Sequence, residues 1–591
     1  MNYGATVCAG GGVRFRIWAP LANGLAVQLN PERRFPMKRD GEDFEVLIPE
    51  AAPGDLYSFV FEDGRMRCDP VSRSQPRGVH GPSQIEDPAA FTWTDQAWTG
   101  VPLEDHIFYE LHTGTFTPEG TFNGVASKLD YLKSLGITAI ELMPVAEFPG
   151  DRNWGYDGVD LYAPHSAYGG PDALKHLVNA CHQAGLVVVL DVVYNHLGPE
   201  GNYLAEFGPF FTDHYRTPWG RAMNYDGPGS DGVRRFMIDN ALYWLTEYHI
   251  DALRLDAIHG IFDLSALHIV AELRDRFHQQ AAQLGRRAWV IAESDLNDVR
   301  VLNPRASGGF AIDAQWHDEF HHALYGYLTG KNQSYLSDFD QLSQIQKAIT
   351  DGFVHDGGYS AFRGRRFGSS SRDLSGDRFV AFIQNHDQIA NTSHGWRLSR
   401  LVSIEHYKLA ASLLFCSPYL PLLFMGEEFA DAAPFLYFTS HGDPEIAAAT
   451  TTGRKREFEE FRREYPFHDP QACETFETSR ITWNLLGHSS HSAVLHFYSE
   501  LIALRKRWPC LSNGRKDLTR VTYDEHARRL RLDRTDPAGS HAVLLCNFSP
   551  DRAAFEFDDT YWQFALSTSS EPANAQSVPG HSAVLYVRGQ S

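Results

Sequence analysis

Arg254 and Asp256 stand two residues apart in the run Asp251-Ala-Leu-Arg-Leu-Asp-Ala-Ile-His259. Leu253 and Leu255 alternate with them in the pattern of a short strand, so the Arg and Asp side chains project to one face. A buried arginine there keeps the carboxylate ionised and oriented. Taken alone, the pair reads first as a structural ion pair at a strand end. It does not stand alone. Asp191-Val-Val-Tyr-Asn-His196, Glu293-Ser-Asp295, Asp313-Ala-Gln-Trp316 and Asn385-His-Asp387 place further polar groups at the ends of short apolar runs. Converging carboxyl groups, with no cysteine pair, His-rich cluster or phosphate loop, point to glycosidic chemistry. That reaction needs one carboxylate as nucleophile or base and one carboxylic acid to protonate the leaving oxygen. A metal site from the same Asp, His and Asn groups is the competing reading, and no calcium-loop or two-metal spacing supports it.

These groups need a frame to hold them. From Ile107 onward, short apolar runs alternate with amphipathic stretches, the pattern of a parallel sheet covered by helices. Strands are predicted to begin near Ile107, Ala139, Leu186, Ala252, Trp289, Phe310, Phe379 and Leu420. Leu174, Leu177, Val178 and Cys181 mark the apolar face of one helix between Pro171 and Gly185. Eight strand–helix units predict an α/β fold, a (β/α)8 TIM barrel over 99–512, whose active site lies at the C-terminal strand ends. Upstream, Val13-Arg-Phe-Arg-Ile-Trp18 alternates strictly, which predicts an N-terminal β-sandwich over 1–98. Ala542–Phe548 and Ala583–Val587 predict a C-terminal β-sandwich over 513–591. Excursions at 198–232, 326–378 and 427–490 are too long for plain barrel loops and are expected to shape the cleft.

Composition narrows the partners. A net charge of −21 over 591 residues argues against nucleic acid or an anionic membrane and favours a neutral substrate. Seven scattered cysteines read as reduced thiols of a cytoplasmic protein. The N-terminus lacks a basic region followed by an apolar core, so no signal peptide is expected. The most apolar run, Leu413–Met425, is broken by Pro418 and Pro421 and is too short to span a bilayer.

Asp191–His196, Leu253–Asp256, Glu293 and Asn385–Asp387, in that order, resemble the four signature regions of the α-amylase superfamily, glycoside hydrolase family 13. Asn153-Trp-Gly-Tyr156 is similar to a further element of it. Asp69-Pro70 and Gly78–Ser83 resemble the leading sandwich of its isoamylase and branching-enzyme group, so the likeness covers almost the whole chain. The resemblance implies a retaining hydrolase with Asp256 as nucleophile and Glu293 as general acid, then base. Asp387 would bind sugar hydroxyls, distort the ring and help raise the pKa of Glu293. Arg254 would keep Asp256 ionised, His196 and His386 would donate to the same sugar, and Tyr156 would stack on it. Asp191 either orients Arg254 or touches substrate. Asn195 resembles a calcium ligand of true amylases, but 198–232 holds no matching acidic loop, so neither metal nor cofactor is expected.

Tyr109–Phe122, Gln315–His322 and Phe424–Phe429 resemble the trehalose-releasing group of that superfamily. This implies a malto-oligosaccharide substrate ending in trehalose, cleavage of the adjacent α-1,4 bond, and a maltooligosyltrehalose synthase as pathway partner. Trp219, His259, Trp316 and His322 are expected to wall the trehalose-side pocket, and Glu428 to line the cleft. The runner-up is a glycogen branching or debranching enzyme. A non-catalytic glucan-binding protein would have lost a carboxylate, and Asp256, Glu293 and Asp387 are all present.

Overall fold

The computed structural model describes residues 3–589 except 32, 332, 333, 393 and 461–466. Short parts of the 326–378 and 427–490 excursions, and both chain ends, therefore lie outside the described residues. Eight parallel strands close into a barrel: β1 (Phe108–Leu111), β2 (Ala139–Leu142), β3 (Val187–Val192), β4 (Ala252–Leu255), β5 (Trp289–Ala292), β6 (Ala314–Trp316), β7 (Phe379–Phe382) and β8 (Leu420–Phe424). Phe108 pairs with Leu422, so β8 returns to β1 and no edge is left.

The period of two decides what fills the barrel. Phe108, Ala139, Val189, Ala252, Ile291, Val380 and Leu420 form its apolar inner cluster. Two residues further along the same face come Glu110, Glu141, Asp191, Arg254 and Glu293. The lumen thus turns from apolar to charged towards the C-terminal strand ends. Outside it, the helix Gly170–Ala184 buries Leu174, Leu177, Val178 and Cys181, and Gly185 ends it at φ 80°.

One strand departs from expectation. β6 begins at Ala314 rather than Phe310, because Phe310 and Ile312 donate to the carbonyls of Arg300 and Val301 and Ala311 between them turns at φ 60°. A strand cannot pass through that left-handed conformation. Asp313 therefore stands at the start of β6, away from the catalytic end. There it accepts from the Val290 N–H, Arg274 and His278.

Two antiparallel sheets form the N-terminal sandwich. Gly4–Val7, Val13–Trp18, Asp43–Ile48 and Lys38–Asp40 make one, and Arg33–Pro36, Leu25–Leu29, Leu56–Phe61 and Met66–Arg67, with Ser83–Gln84 also paired to Leu56–Phe61, the other. It docks on the first excursion, with Trp18 against Phe210 at 5.4 Å and Phe61 against Phe207 at 5.0 Å between ring centres. At the other end of the chain, five antiparallel strands from Thr519–Asp524 to Ser582–Arg588 form one sheet. The helix Ile404–Cys416 covers one face of it, and Phe555, Phe557 and Val578 cover the other. Among the described residues, no helix is long and apolar enough to cross a membrane.

Candidate active site

Arg254 is the hub of the C-terminal mouth. It is fully buried, its guanidinium lies 4.2 Å over the Trp316 ring, and its nitrogens reach three carboxyl groups. Nη1 donates to Asp191 Oδ2 at 2.8 Å and to Asp256 Oδ1 at 2.8 Å, while Nη2 donates to Glu293 Oε2 at 3.1 Å. One guanidinium holds both Asp256 and Glu293, which makes the two carboxyls neighbours across the β4–β5 boundary. Asn195 Nδ2 donates to the other Asp256 oxygen at 2.7 Å. Ala257 has a left-handed backbone at φ 39°, and its N–H donates to Glu293 Oε2 at 2.7 Å. Both bonds to Glu293 fall on Oε2; among the described residues none falls on Oε1.

The same surroundings drive the two carboxyls in opposite directions. Burial acts to raise Asp256, but the positive charge of Arg254, the proximity of His196 and the bonds from Asn195 and Arg254 outweigh it and hold the group below 3.8. Glu293 is pushed well above 4.5, first by burial and then by the negative charges of Asp256 and Asp387, against the pull of Arg254. A carboxylate and a carboxylic acid thus stand side by side, the pairing that acid–nucleophile chemistry requires.

Tyr156, His196, Asp256, Glu293 and Asp387 border an open cleft of about 930 Å³. His196 stacks beneath Trp219, the tip of the hairpin Phe211–Thr217/Gly220–Met223, with ring centres 5.7 Å apart. The Asp387 side chain is 39% exposed, the most open of the three carboxylates. Each excursion supplies a wall: Trp219 from the first, Ser334–Leu336 from the second, and Tyr437, Arg454 and Glu457 from the third.

Other expected contacts lie behind the cleft surface. Asp191 sits under Tyr156, whose hydroxyl donates to it at 2.7 Å. His386 is buried against Glu110 and stacks on Tyr156, 5.3 Å away, so Tyr156 separates it from the cleft. Trp316, 1% exposed, supports Arg254 and does not wall a pocket. His259 stands behind Trp219 at 5.7 Å. His322 lines a smaller adjoining cavity with Tyr335 and Arg363. Glu428 does not line the cleft: it is fully buried and takes the hydroxyls of Tyr109 and Tyr131 at 3.1 and 2.7 Å. Asn195 gives its Nδ2 to Asp256 and turns its Oδ1 to the His196 ring. Sequence reasoning missed Glu110, although its inward parity on β1 was readable. It set the 427–490 excursion at the cleft but did not single out Tyr437, Arg454 or Glu457 as its wall, which no local pattern announces.

A closed parallel barrel with a nucleophile-like carboxylate and an acid at its C-terminal mouth defines a barrel glycoside hydrolase. Comparison with known proteins agrees. Residues 73–216 match the alpha amylase catalytic domain and residues 2–72 match carbohydrate-binding module 48, the isoamylase N-terminal domain. A crystal structure from Salmonella typhimurium, provisionally described as an alpha amylase, superposes with a TM-score of 0.92 at 38% identity, covering 100% of both chains. The malto-oligosyltrehalose trehalohydrolase of Saccharolobus solfataricus is 45% identical over 87% of this chain and 88% of its own. That of Rhizobium sp. strain M-11 is 43% identical over 88% and 89%. The chain belongs to the malto-oligosyltrehalose trehalohydrolase family.

Proposed function

We propose that the protein hydrolyses the α-1,4-glucosidic bond next to the terminal trehalose of a maltooligosyltrehalose, releasing trehalose and a malto-oligosaccharide with retention. The observation that carries the chemistry is the single Arg254 guanidinium shared by Asp256 and Glu293, whose titrations it and its neighbours split apart. Asp256, held ionised, attacks the anomeric carbon as Glu293 passes its proton from Oε1 to the leaving oxygen. The resulting glycosyl ester is opened by water, from which Glu293 now takes a proton. Asp387 binds the sugar hydroxyls at the open edge of the site. Tyr156 offers its ring to that sugar, and Arg254 and Asn195 orient the nucleophile. Asp191, His386 and Trp316 act one layer deeper, on Arg254 and Tyr156. His259 and His322 support the trehalose side through Trp219 and Tyr335.

The free cysteines, five of them buried, suit a reducing cytoplasm. The substrate implies a maltooligosyltrehalose synthase working upstream in trehalose biosynthesis. The testing experiment is a product assay on maltotriosyltrehalose, maltopentaose and glycogen. The proposal expects trehalose and maltotriose from the first and little from the others. Shortened or rebranched glucans without trehalose would transfer the assignment to a branching or debranching activity.

A further inference from the structure

Glu110 has no part in the chemistry above, yet it stands directly behind it. It projects inward from β1, 1% exposed, and accepts the His386 backbone N–H on Oε2 at 3.2 Å and faces Nδ1 of the His386 ring with Oε1. On the far side of that ring, Nε2 lies 2.8 Å from the Tyr156 hydroxyl and 3.6 Å from Asp387 Oδ2. The Tyr156 hydroxyl has one proton and donates it to Asp191, a carboxylate already paired with Arg254. Its oxygen therefore accepts from Nε2–H. With Nε2 protonated, one further proton lies between Nδ1 and Glu110, and if the ring carries it the pair is an imidazolium facing a carboxylate.

We propose that Glu110 is a positioning residue for glycoside cleavage: it holds His386 doubly protonated, so that Nε2–H fixes the Tyr156 hydroxyl and steadies Asp387 at the cleft edge. This rests on the reading of Asp256, Glu293 and Asp387 as the working carboxyls.

The groups around His386 come from several strands. Glu110 faces it from β1 and Glu141 from β2, with His112 just after β1 and Asp191 on β3. Tyr156 and Trp154 follow β2, Arg254 comes from β4 and Trp316 from β6, and Asp387 is its chain neighbour. Burial alone would lower His386, and Arg254 adds to that. Asp387 and Glu110 overcome both and place it at about 9. Glu141, opposite Glu110 in the β1–β2 register, has no hydrogen-bond partner on either oxygen among the described residues. Burial first, and then the charge of Glu110, push it well above 4.5, so it stays neutral and does not compete for the imidazolium.

The test uses the full chain with 15N-labelled histidine, the His386 signals being assigned by their loss in His386→Asn. In the wild type both His386 nitrogens should be protonated at pH 7 and titrate near pH 9. In Glu110→Gln the titration should fall by at least about one pH unit, and kcat by about tenfold or more with KM moved less, the expected effect of losing a charge-assisted bond. Glu110→Asp should recover part of kcat. A singly protonated wild-type ring at pH 7, or a Glu110→Gln enzyme with wild-type kcat, overturns the proposal. If Glu110→Gln does not fold, the wild-type titration still decides. A wild type that titrates as stated but releases no trehalose counts against the substrate and leaves the positioning role standing.

Discussion

The two ends of the barrel use the same residue types to opposite effect, and β4 is flanked by an example of each. Asp251 precedes the strand and Asp256 follows it, five positions apart. Asp251 accepts from Trp98 Nε1 at 2.7 Å and the Val188 N–H at 2.9 Å, and pairs with His182 Nε2 at 3.0 Å. Asp313, before β6, repeats the device with the Val290 N–H, His278 and Arg274. His182 is gripped on its other side by Asp95 at 2.7 Å, which also holds His249. These charges spend their hydrogen bonds on backbone and neighbouring side chains, tying the 93–98 segment to the barrel. At the opposite mouth, Asp256 and Glu293 share one arginine and keep a side open to the cleft. Charge density does not separate chemistry from stapling. What separates them is whether the carboxyl borders a cleft that something from outside can enter.

If that is right, the two aspartates around β4 fail differently. Asp256→Ala or Glu293→Gln should lower kcat by about a thousandfold or more while leaving the denaturation midpoint at or above the wild-type value, since the first removes a crowded charge and the second replaces a neutral acid by an amide of the same shape. Asp251→Ala should do the reverse, losing about 3–5 kcal/mol of stability by orphaning a buried ion pair, with kcat of the folded enzyme unchanged. Steady-state kinetics beside denaturant titration of both variants checks the contrast. Equal stability losses at both positions would erase the distinction.

Two pH experiments sharpen it. The carboxylate of Asp387 helps hold Glu293 up, so Asp387→Asn should leave a residual activity whose alkaline limb lies at lower pH than in the wild type. An unmoved limb would take Asp387 out of the tuning of Glu293. The smaller effect is on stability at the other rim. His182 lies above its ordinary value: burial alone would lower it, but the bonds to Asp251 and Asp95 outweigh burial. A raised folded-state value means that its contribution is complete below about pH 6.5 and fades as pH rises through the folded value. Asp95, held far below 3.8 against its burial by His182, His249 and Arg286, contributes above about pH 4 and loses that as pH falls. The rim is therefore tightest between about pH 4 and 6.5. His182→Gln should cost more stability at pH 6 than at pH 9, and a cost independent of pH would deny the charge on His182.

Much of this was legible beforehand because strand periodicity is local. Alternation around Leu253 and Leu255 sets Arg254 and Asp256 on one face, and that holds in the barrel. Phe310 misled because its run looks like a strand until Ala311 turns to positive φ, held by pairing with Arg300 and Val301. Asp313 then moved from the expected catalytic end to the stapled one. His386 and Trp316 were legible as neighbours of the chemistry, but their depth was not, since Tyr156 and Arg254 cover them from other strands.

The sequence by itself determined the order of the strands, the shared face of Arg254 and Asp256, and the residue types that would meet at the C-terminal mouth. These follow from a two-residue period and from the chemistry of single side chains. Only the tertiary structure decided which oxygens stay open, which histidine is backed by a glutamate, and that one arginine serves three carboxyls. Closing the barrel brings residues from β1, β4, β5 and β7 to one height across the lumen. That alignment depends on the register of all eight strands together, which no stretch of chain contains.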